Sequence, residues 1–220
     1  MGMAVSSKQS TKAVEAVVTA ANAEFSDVLS AEVRNQAGGS RKCAYVFLEV
    51  EADSWRKVAK WLKRSQGIDY CSMITGIHWP DASDMSWQVV IHLMRFAVSN
   101  PPVDNGQVNP VPSVASKLSG ADIPIQIEVS IKLPDGRNPS VPSVADIWVG
   151  ADWNEKETWD LVGIEFEGHE GMRRVLLPHN SPTGYHPLQK QHKLRYHDFN
   201  EMYDDPQGFM RKPVDIGKIK

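Results

Sequence analysis

Apolar and polar residues alternate most regularly over residues 123–133, where isoleucine or valine occupies every odd position from 123 to 131. This period of two predicts a strand with one buried face. Runs rich in β-branched and aromatic residues at 42–50, 69–79 and 86–98 predict three further strands. The last two runs are joined by a short polar connection, which indicates a hairpin.

A helical period appears in the first third of the chain. Apolar residues recur at three- and four-residue steps over 11–35, which predicts one helix, or two if Ser26 and Asp27 begin a second. A further helix is predicted from Asp53 or Ser54, with an apolar face and a face of lysine and arginine. That basic face could contact an acidic partner, although such a charge run is more often a solvated surface.

The most informative helix lies within the stretch 138–178. Asp152 is predicted to be its N-cap, with Glu155 three residues later in an arrangement like a capping box. The helix is expected over 153–161. Gly163 can adopt the left-handed backbone that commonly ends a helix.

Grouped strands with helices to one side predict an α+β fold, a two-layer sandwich with a mostly antiparallel sheet of about four strands. We expect an N-terminal tail and helical segment over 1–41 and an α/β core over 42–178. Residues 100–120 are rich in proline and predict a long surface loop. Residues 179–220 are expected to form an extended C-terminal arm, which either docks on a partner or is a disordered end.

Composition narrows the functional classes. The 220 residues carry a formal net charge of -3 and no dominant basic patch, so nucleic-acid binding is not expected. Cys43 and Cys71 are too few to ligate an Fe–S cluster alone and do not indicate a disulfide scaffold, so we expect two buried thiols in a reducing compartment. We find no targeting segment and no run long enough to span a bilayer, so we expect any membrane association to depend on a partner.

Carboxylates, a histidine and two arginines lie close together around the informative helix. One interpretation is general acid–base catalysis by Glu157 and Asp160, with His169 as a proton shuttle. A second is an ion-pair network that places these carboxylates against Arg173 and Arg174 and fixes two loops. A third is a surface that is ordered for a partner protein. No nucleophile, metal-ligand set or phosphate loop accompanies them, which favours the second and third interpretations without separating them.

The remaining histidines are weaker candidates for metal ligands. His78 and His92 could face each other on paired strands, but the sequence offers no third ligand. His186, His192 and His197 match no standard zinc spacing. Satisfied or half-exposed histidines are therefore expected at positions 78 and 92, and solvated or interface histidines at the other three positions.

A longer motif connects the candidate residues. Its members in order are Glu155, Glu157, Asp160, Leu161, Gly163, Ile164, Phe166, Gly168, His169, Arg173 and Arg174, flanked by Pro139, Pro142, Ser143 and Val144 and by Gly184, His186, Pro187 and Leu188. This motif resembles the signature of the C-type subunit of bacterial NADH-quinone oxidoreductase, respiratory complex I, whose mitochondrial counterpart is the 30-kilodalton subunit and whose cyanobacterial and chloroplast counterpart is the J-type subunit. The departures from the family pattern are Lys156, Glu170 and Gln189–Gln191.

The resemblance implies a structural subunit of a proton-translocating NADH-quinone oxidoreductase, with no active site on this chain. Members of this family bind no cofactor and no metal, because the Fe–S clusters and the quinone belong to their neighbours. The implied partners are the D-type, quinone-pocket subunit, the B-type, terminal Fe–S cluster subunit and, as a further candidate, the I-type, two-cluster ferredoxin-like subunit. The implied location is peripheral, at the cytoplasmic face of the cell membrane or an equivalent organelle membrane.

The resemblance also implies a role for the motif side chains: they order loops at the junction between the D-type and B-type neighbours, and none is catalytic. These residues are Glu155, Glu157, Asp160, Gly163, Gly168, His169, Arg173 and Arg174. Two alternatives remain: the equivalent subunit of a related complex fed by ferredoxin or deazaflavin or of a membrane-bound nickel–iron hydrogenase, and an independent hydrolase that uses Glu157 and Asp160.

Overall fold

The described part of the chain consists of helices and strands joined mostly by short turns. The computed structural model describes residues 7–36, 43–80, 86–96, 98–99, 113–114, 123–134, 136 and 138–190. In chain order the elements are α1 (Ser7–Glu24), β1 (Leu29–Asn35), β2 (Ala44–Val50), α2 (Ala52–Ser65), β3 (Tyr70–His78), β4 (Trp87–Arg95), β5 (Val98–Ser99), β6 (Ser113–Val114), β7 (Ile125–Leu133), β8 (Ser140–Pro142), α3 (Ala151–Val162) and β9 (Glu165–Glu167).

One sheet forms the first layer of the fold. Its strand order is β1–β2–β7–β4–β3, and neighbouring strands run antiparallel except β2 and β7, which are parallel. Two small sheets pair β5 with β6 and β8 with β9. The predicted two-layer α+β sandwich with a mostly antiparallel sheet is confirmed, with five strands in the main sheet instead of about four.

The strand register places an apolar row across the whole sheet. Leu48 of β2 lies opposite both Ala31 of β1 and Val129 of β7. Ile91 of β4 lies opposite both Val129 and Ile74 of β3. Side chains two residues apart on a strand share a face, so the neighbouring rows extend this apolar face along the strands. All three helices contribute buried side chains to the hydrophobic core on this face, which places the second layer on one side of the sheet.

The prediction of a helix over 11–35 is wrong in its second half. α1 ends at Glu24, and β1 begins five residues later. Asn22, near the end of α1, accepts the backbone N–H of Ala31 and donates to its carbonyl, both at 3.1 Å. The apolar residues after Phe25 fit a helical period and an alternating one. Pairing with β2 selects the strand, and the spacing of apolar residues within this segment carries no information about that pairing.

The predicted cap of α2 is also displaced. The helix begins at Ala52 with Glu51 as its N-cap residue, so Asp53 and Ser54 lie inside the first turn. Glu51 makes no side-chain capping bond. The short connection from β2 into α2 sets this boundary, because the helix begins only two residues after Val50, the last residue of that strand.

The two cysteines lie in different environments. Cys43 is exposed, against the expectation of a buried thiol, because it lies at the end of the β1–β2 hairpin where the two strands are connected, and its carbonyl there accepts the Gln36 N–H. Cys71 is buried as expected. Burial, reinforced by the nearby Glu155 charge, raises the pKa of the Cys71 thiol to about 12, so this side chain stays a neutral thiol at physiological pH.

The two strand histidines do not face each other, and that prediction is wrong. A register irregularity in β3 follows Cys71 and places Met73 opposite His92, while His78 lies opposite Trp87. The His78 and Trp87 rings stack at 4.1 Å between centroids. The hairpin of β3 and β4 itself is confirmed.

Some sequence predictions fall outside the described residues. Apart from Ser113–Val114, which form β6, the proline-rich stretch 100–120 is outside them. The arm 179–220 is described only to residue 190. Among the helices that the structure describes, none combines the length and the apolar character needed to cross a membrane.

We predict that Gly76→Ala lowers the free energy of unfolding by about 1–3 kcal/mol, as overpacking of a core contact does. A Cβ at Gly76 in β3 would lie 2.7 Å from Ile164, 3.0 Å from Thr158 and 3.2 Å from Val162, so these packed side chains would have to shift. Urea unfolding measures the change. Gly136→Ala is the matched control, since a Cβ there meets nothing within 4 Å; equal effects at both glycines would contradict the close approach.

Candidate functional site

The helix α3 and the turns that follow it carry the motif residues. α3 begins at Ala151, and its N-cap residue is Gly150, so the prediction of Asp152 as N-cap is wrong. The glycine at position 150 lets the start of α3 lie against β3, because a Cβ there would lie 2.7 Å from the Cys71 carbonyl oxygen. Gly163 ends the helix in the predicted left-handed conformation, with φ +87°.

Glu155 ties α3 to the loop before it. Its side chain is completely buried and accepts two hydrogen bonds, from Ser143 Oγ at 2.6 Å and from the Val144 N–H at 2.8 Å. Burial raises the pKa of the Glu155 carboxyl, and the two donors and His169 offset that effect only in part. Ser143 and Val144 belong to the flanking part of the motif, whose physical role the sequence did not reveal.

Asp160 ties α3 to the loop after it, here called the signature loop (residues 168–177). Oδ1 accepts a hydrogen bond from Arg174 at 2.8 Å. Oδ2 accepts the N–H groups of the three consecutive residues Val175, Leu176 and Leu177 at 2.9–3.0 Å. The Asp160 side chain is fully buried. Burial raises the pKa of this carboxyl, but the backbone donors and the Arg174 guanidinium outweigh burial and hold the pKa below its ordinary value.

Arg174 extends this anchorage to the next turn. Its Nη2 donates to the Pro182 carbonyl at 3.0 Å, and its Nη1 donates to the Tyr185 carbonyl at 3.3 Å as well as to Asp160. The guanidinium also lies 5.7 Å from the centre of the Trp159 ring. One arginine therefore holds two loop segments against the end of α3.

His169 anchors the beginning of the signature loop. Its side chain is buried, and Nε2 lies 3.3 Å from both the carbonyl and a carboxylate oxygen of Asp152 and 3.9 Å from Glu155. Lys156 approaches the same Asp152 carboxylate at 2.8 Å. Gly168, with φ +78°, makes the reversal that turns His169 back toward the helix. Because the ring is enclosed, it is poorly placed to exchange protons with a substrate.

Residues 186–189 complete the C-terminal end of α3. A helix leaves its last carbonyls without intrahelical partners. Here the His186 ring contacts the Asp160 carbonyl at 3.0 Å, the Leu188 N–H donates to the Leu161 carbonyl at 2.9 Å, and Gln189 Nε2 donates to the Val162 carbonyl at 2.8 Å. Gln189 stands out in the sequence only as a departure from the family pattern, so its buried capping role was missed.

The predicted pairing of two carboxylates with two arginines is half right. Asp160 pairs with Arg174. Glu157 and Arg173 are exposed, and within the part of the chain that the structure describes neither side chain makes a hydrogen bond or an ion pair. Asp160 is enclosed by its donors while Glu157 faces outward, so the two carboxylates do not line one water-accessible site for general acid–base catalysis.

Metal binding finds no support in the described residues, where no three histidine, cysteine, aspartate or glutamate side chains converge. His192 and His197 lie outside these residues. The departures Lys156 and Gln189 have internal partners, Glu170 is exposed, and Gln191 falls outside the described range.

The fold recurs in a respiratory membrane complex. A chain in the structure of the membrane-bound sulfane sulfur reductase, an archaeal respiratory membrane complex, superposes with a TM-score of 0.56 over 90% of this chain and 96% of that chain, at 19% sequence identity. At 19% identity this similarity shows that the two chains share the α+β sandwich fold, and it shows the fold alone.

Sequence comparison defines the family. Residues 48–198 match the family described as "Respiratory-chain NADH dehydrogenase, 30 Kd subunit", and the chain belongs to it. The NADH-quinone oxidoreductase C-type subunit of Chloroherpeton thalassium is 48% identical over 162 residues, 71% of this chain and 55% of that protein. The NADH-quinone oxidoreductase C/D-type subunit of Gluconacetobacter diazotrophicus is 46% identical over 78 residues, 36% of this chain and 12% of that protein. The chain therefore spans about half of the first relative and a small part of the second. The resemblance noted in the sequence is confirmed.

We predict that Glu155→Gln changes the dependence of stability on pH. The folded-state pKa of Glu155 is raised above its ordinary value of 4.5, so its contribution to stability is full below that value and is lost as the pH rises through the folded pKa. The unfolding free energy of wild type minus that of the variant should therefore fall between pH 4 and pH 7, by about 1.4 kcal/mol per unit by which the pKa is raised. Urea unfolding across this range measures it, with exposed Glu165→Gln as the charge-matched control; a difference independent of pH would contradict the burial argument.

Asp160→Asn should have the opposite profile. The folded-state pKa of Asp160 lies below its ordinary value of 3.8, so its contribution is present above that value and is lost as the pH falls through the folded pKa. We expect the variant to lose about 3–5 kcal/mol at neutral pH, as when a buried charge pair is broken. The deficit should shrink below about pH 3.8. Thermal or urea unfolding measures it, and Glu157→Gln on the exposed side of α3 is the control; a similar loss in the control would argue against the anchorage.

Proposed function

We propose that this chain is a structural subunit, without an active site of its own, in the peripheral arm of a proton-translocating NADH-quinone oxidoreductase. In this role it supports the junction between the subunit with the terminal Fe–S cluster and the subunit with the quinone pocket. It is held peripherally at the cytoplasmic face of the membrane, or of an equivalent organelle membrane, by the complex. Fe–S clusters, NADH oxidation and quinone reduction belong to its neighbours.

The observation that supports a structural role is the use of the two buried motif carboxylates. Glu155 and Asp160 bind the chain's own hydroxyl, amide and guanidinium donors, and each is fully buried. A catalytic carboxylate must reach a substrate proton within hydrogen-bond distance. Glu155 and Asp160 instead fix the conformation of two loops, which is the contribution expected of a subunit that presents a binding surface to its neighbours.

The name of one relative supports the choice of first partner. The Gluconacetobacter diazotrophicus relative carries the double designation C/D, and the segment similar to this chain makes up 12% of it. Two designations in one polypeptide indicate that a C-type and a D-type part work side by side in that protein. We therefore take the D-type, quinone-pocket subunit as the first partner of this chain, followed by the B-type and I-type subunits.

The alternative of a complex fed by ferredoxin or deazaflavin, or of a hydrogenase, has less support. The family and the similar relatives carry NADH dehydrogenase or NADH-quinone oxidoreductase names. The sulfane sulfur reductase chain is similar at the level of fold only.

Affinity purification of the tagged chain from mildly solubilised native membranes tests the proposal. Mass spectrometry should find D-type, B-type and NADH-oxidising subunits, and EPR should detect their Fe–S centres. Recovery of the chain alone would overturn the proposal. Recovery with the quinone-site core but without an NADH-oxidising module would favour the alternative complexes.

We predict that Arg174→Ala lowers the amount of assembled complex without changing turnover per assembled complex. The variant leaves the buried Asp160 carboxylate without its cation, a loss of about 3–5 kcal/mol for a fully buried pair. Native gel electrophoresis gives the amount, and NADH:quinone activity per Fe–S centre gives the turnover. Arg64→Ala, an exposed arginine on α2, is the control and should assemble normally. Normal assembly of Arg174→Ala with lost quinone reduction would show that the structural role is wrong.

A further inference from the structure

The signature loop runs along the outer side of α3. His169, near the start of the loop, is held at Asp152 in the first turn of the helix. Val175 to Leu177, at its end, are held at Asp160. Asp152 and Asp160 are eight residues apart, or about 12 Å at 1.5 Å per residue. The loop therefore spans the helix lengthwise, with Arg173 between the two anchor points.

The same side of α3 presents two exposed residues. Trp153, Glu157 and Asp160 follow the i, i+4, i+7 spacing of one helix side. The opposite side packs on β3 through Thr158 and Val162, which a Cβ at Gly76 would meet. Trp153 is 60% exposed and Glu157 is exposed. The bonds from Arg174 and Leu176 to Asp160, three residues beyond Glu157, bring the loop to this side of the helix.

Arg173 and Leu176 of the loop are exposed as well, the latter to 58%. Together with Trp153 and Glu157 they form what we call the outer surface of α3. Within the described residues neither of its charged groups makes an ion pair or hydrogen bond, whereas the other charged groups of the motif bind internally.

This outer surface has the composition of a protein-binding hot spot. Tryptophan and arginine dominate the residues whose truncation weakens protein complexes most, and such residues sit amid apolar contacts. Its one carboxylate and one guanidinium leave no net charge, which does not suit a polyanion such as nucleic acid. The Glu157 and Arg173 charges instead suit a partner protein whose surface has a basic group opposite Glu157 and a carboxylate opposite Arg173.

We propose that the outer surface of α3, consisting of Trp153, Glu157, Arg173 and Leu176, docks another protein subunit of the complex. The partner supplies an apolar recess for the Trp153 indole, a carboxylate for Arg173 and a lysine or arginine for Glu157. This inference rests on the proposed function and deepens it. It divides the motif into an inner set of residues that builds the loop and an outer pair, Glu157 and Arg173, that contacts the partner.

Charge reversal and truncation in the tagged full-length chain test the proposal. Trp153→Ala, Glu157→Arg and Arg173→Glu should each reduce the partner recovered per chain from native membranes at least tenfold, the size of a hot-spot loss. Their melting temperatures should stay near that of wild type, because the side chains are exposed. Arg64→Glu, a charge reversal at an exposed site on α2, should recover the partner as wild type does.

A photoreactive p-benzoylphenylalanine in place of Trp153 identifies the occupant. Cross-linking to a different subunit of the complex supports the proposal. Cross-linking only within the chain, cross-linking only to a second copy, or wild-type recovery by all three variants would overturn it. These outcomes differ from failure of the proposed function, in which the wild-type chain itself recovers no complex.

Discussion

The Asp160 carboxylate is the interaction on which the rest of the site depends. Four donors converge on its two oxygens, three of them consecutive backbone amides of the signature loop. Those three residues belong to no helix or strand, so no ladder of backbone bonds holds their conformation. Arg174 carries the constraint on to the carbonyls of Pro182 and Tyr185. The chain then reaches Gln189, which donates to the Val162 carbonyl at the end of α3. The segment that Asp160 and Arg174 hold is therefore bound to the same helix at both ends.

Glu155 holds the loop before α3, at Ser143 and Val144, as Asp160 holds the loop after it. The pKa of Glu155, however, is shifted in the opposite direction to that of Asp160. Two donors, one of them a neutral hydroxyl, do not compensate for complete burial, so the pKa of the Glu155 carboxyl is raised. Asp160 has a cation and three amides as donors, and the pKa of its carboxyl is lowered. Neither side chain has exposed surface, yet the two pKa values move in opposite directions.

Much of the fold could be predicted from local pattern. The alternation in β7, the β3–β4 hairpin and the helical period of α3 each reflect a single period in the sequence. β1 could not be predicted, since residues 29–35 become a strand only by pairing with β2. The His186 and Gln189 contacts with α3 were missed for a similar reason. They join residues 26–27 positions apart, and no local sequence pattern identifies the partner of either side chain.

The division of the motif between inner and outer residues follows from helical geometry. Residues two apart on an α-helix point about 200° away from each other, so Glu155 and Glu157 cannot both face the core or both face outward. Glu155 is buried against Ser143, which obliges Glu157 to face away. Asp160 shares the outer side with Glu157, yet it is enclosed because the loop crosses there. A site built from Glu157 and Asp160 would require the loop to leave Asp160, and four hydrogen bonds oppose that movement.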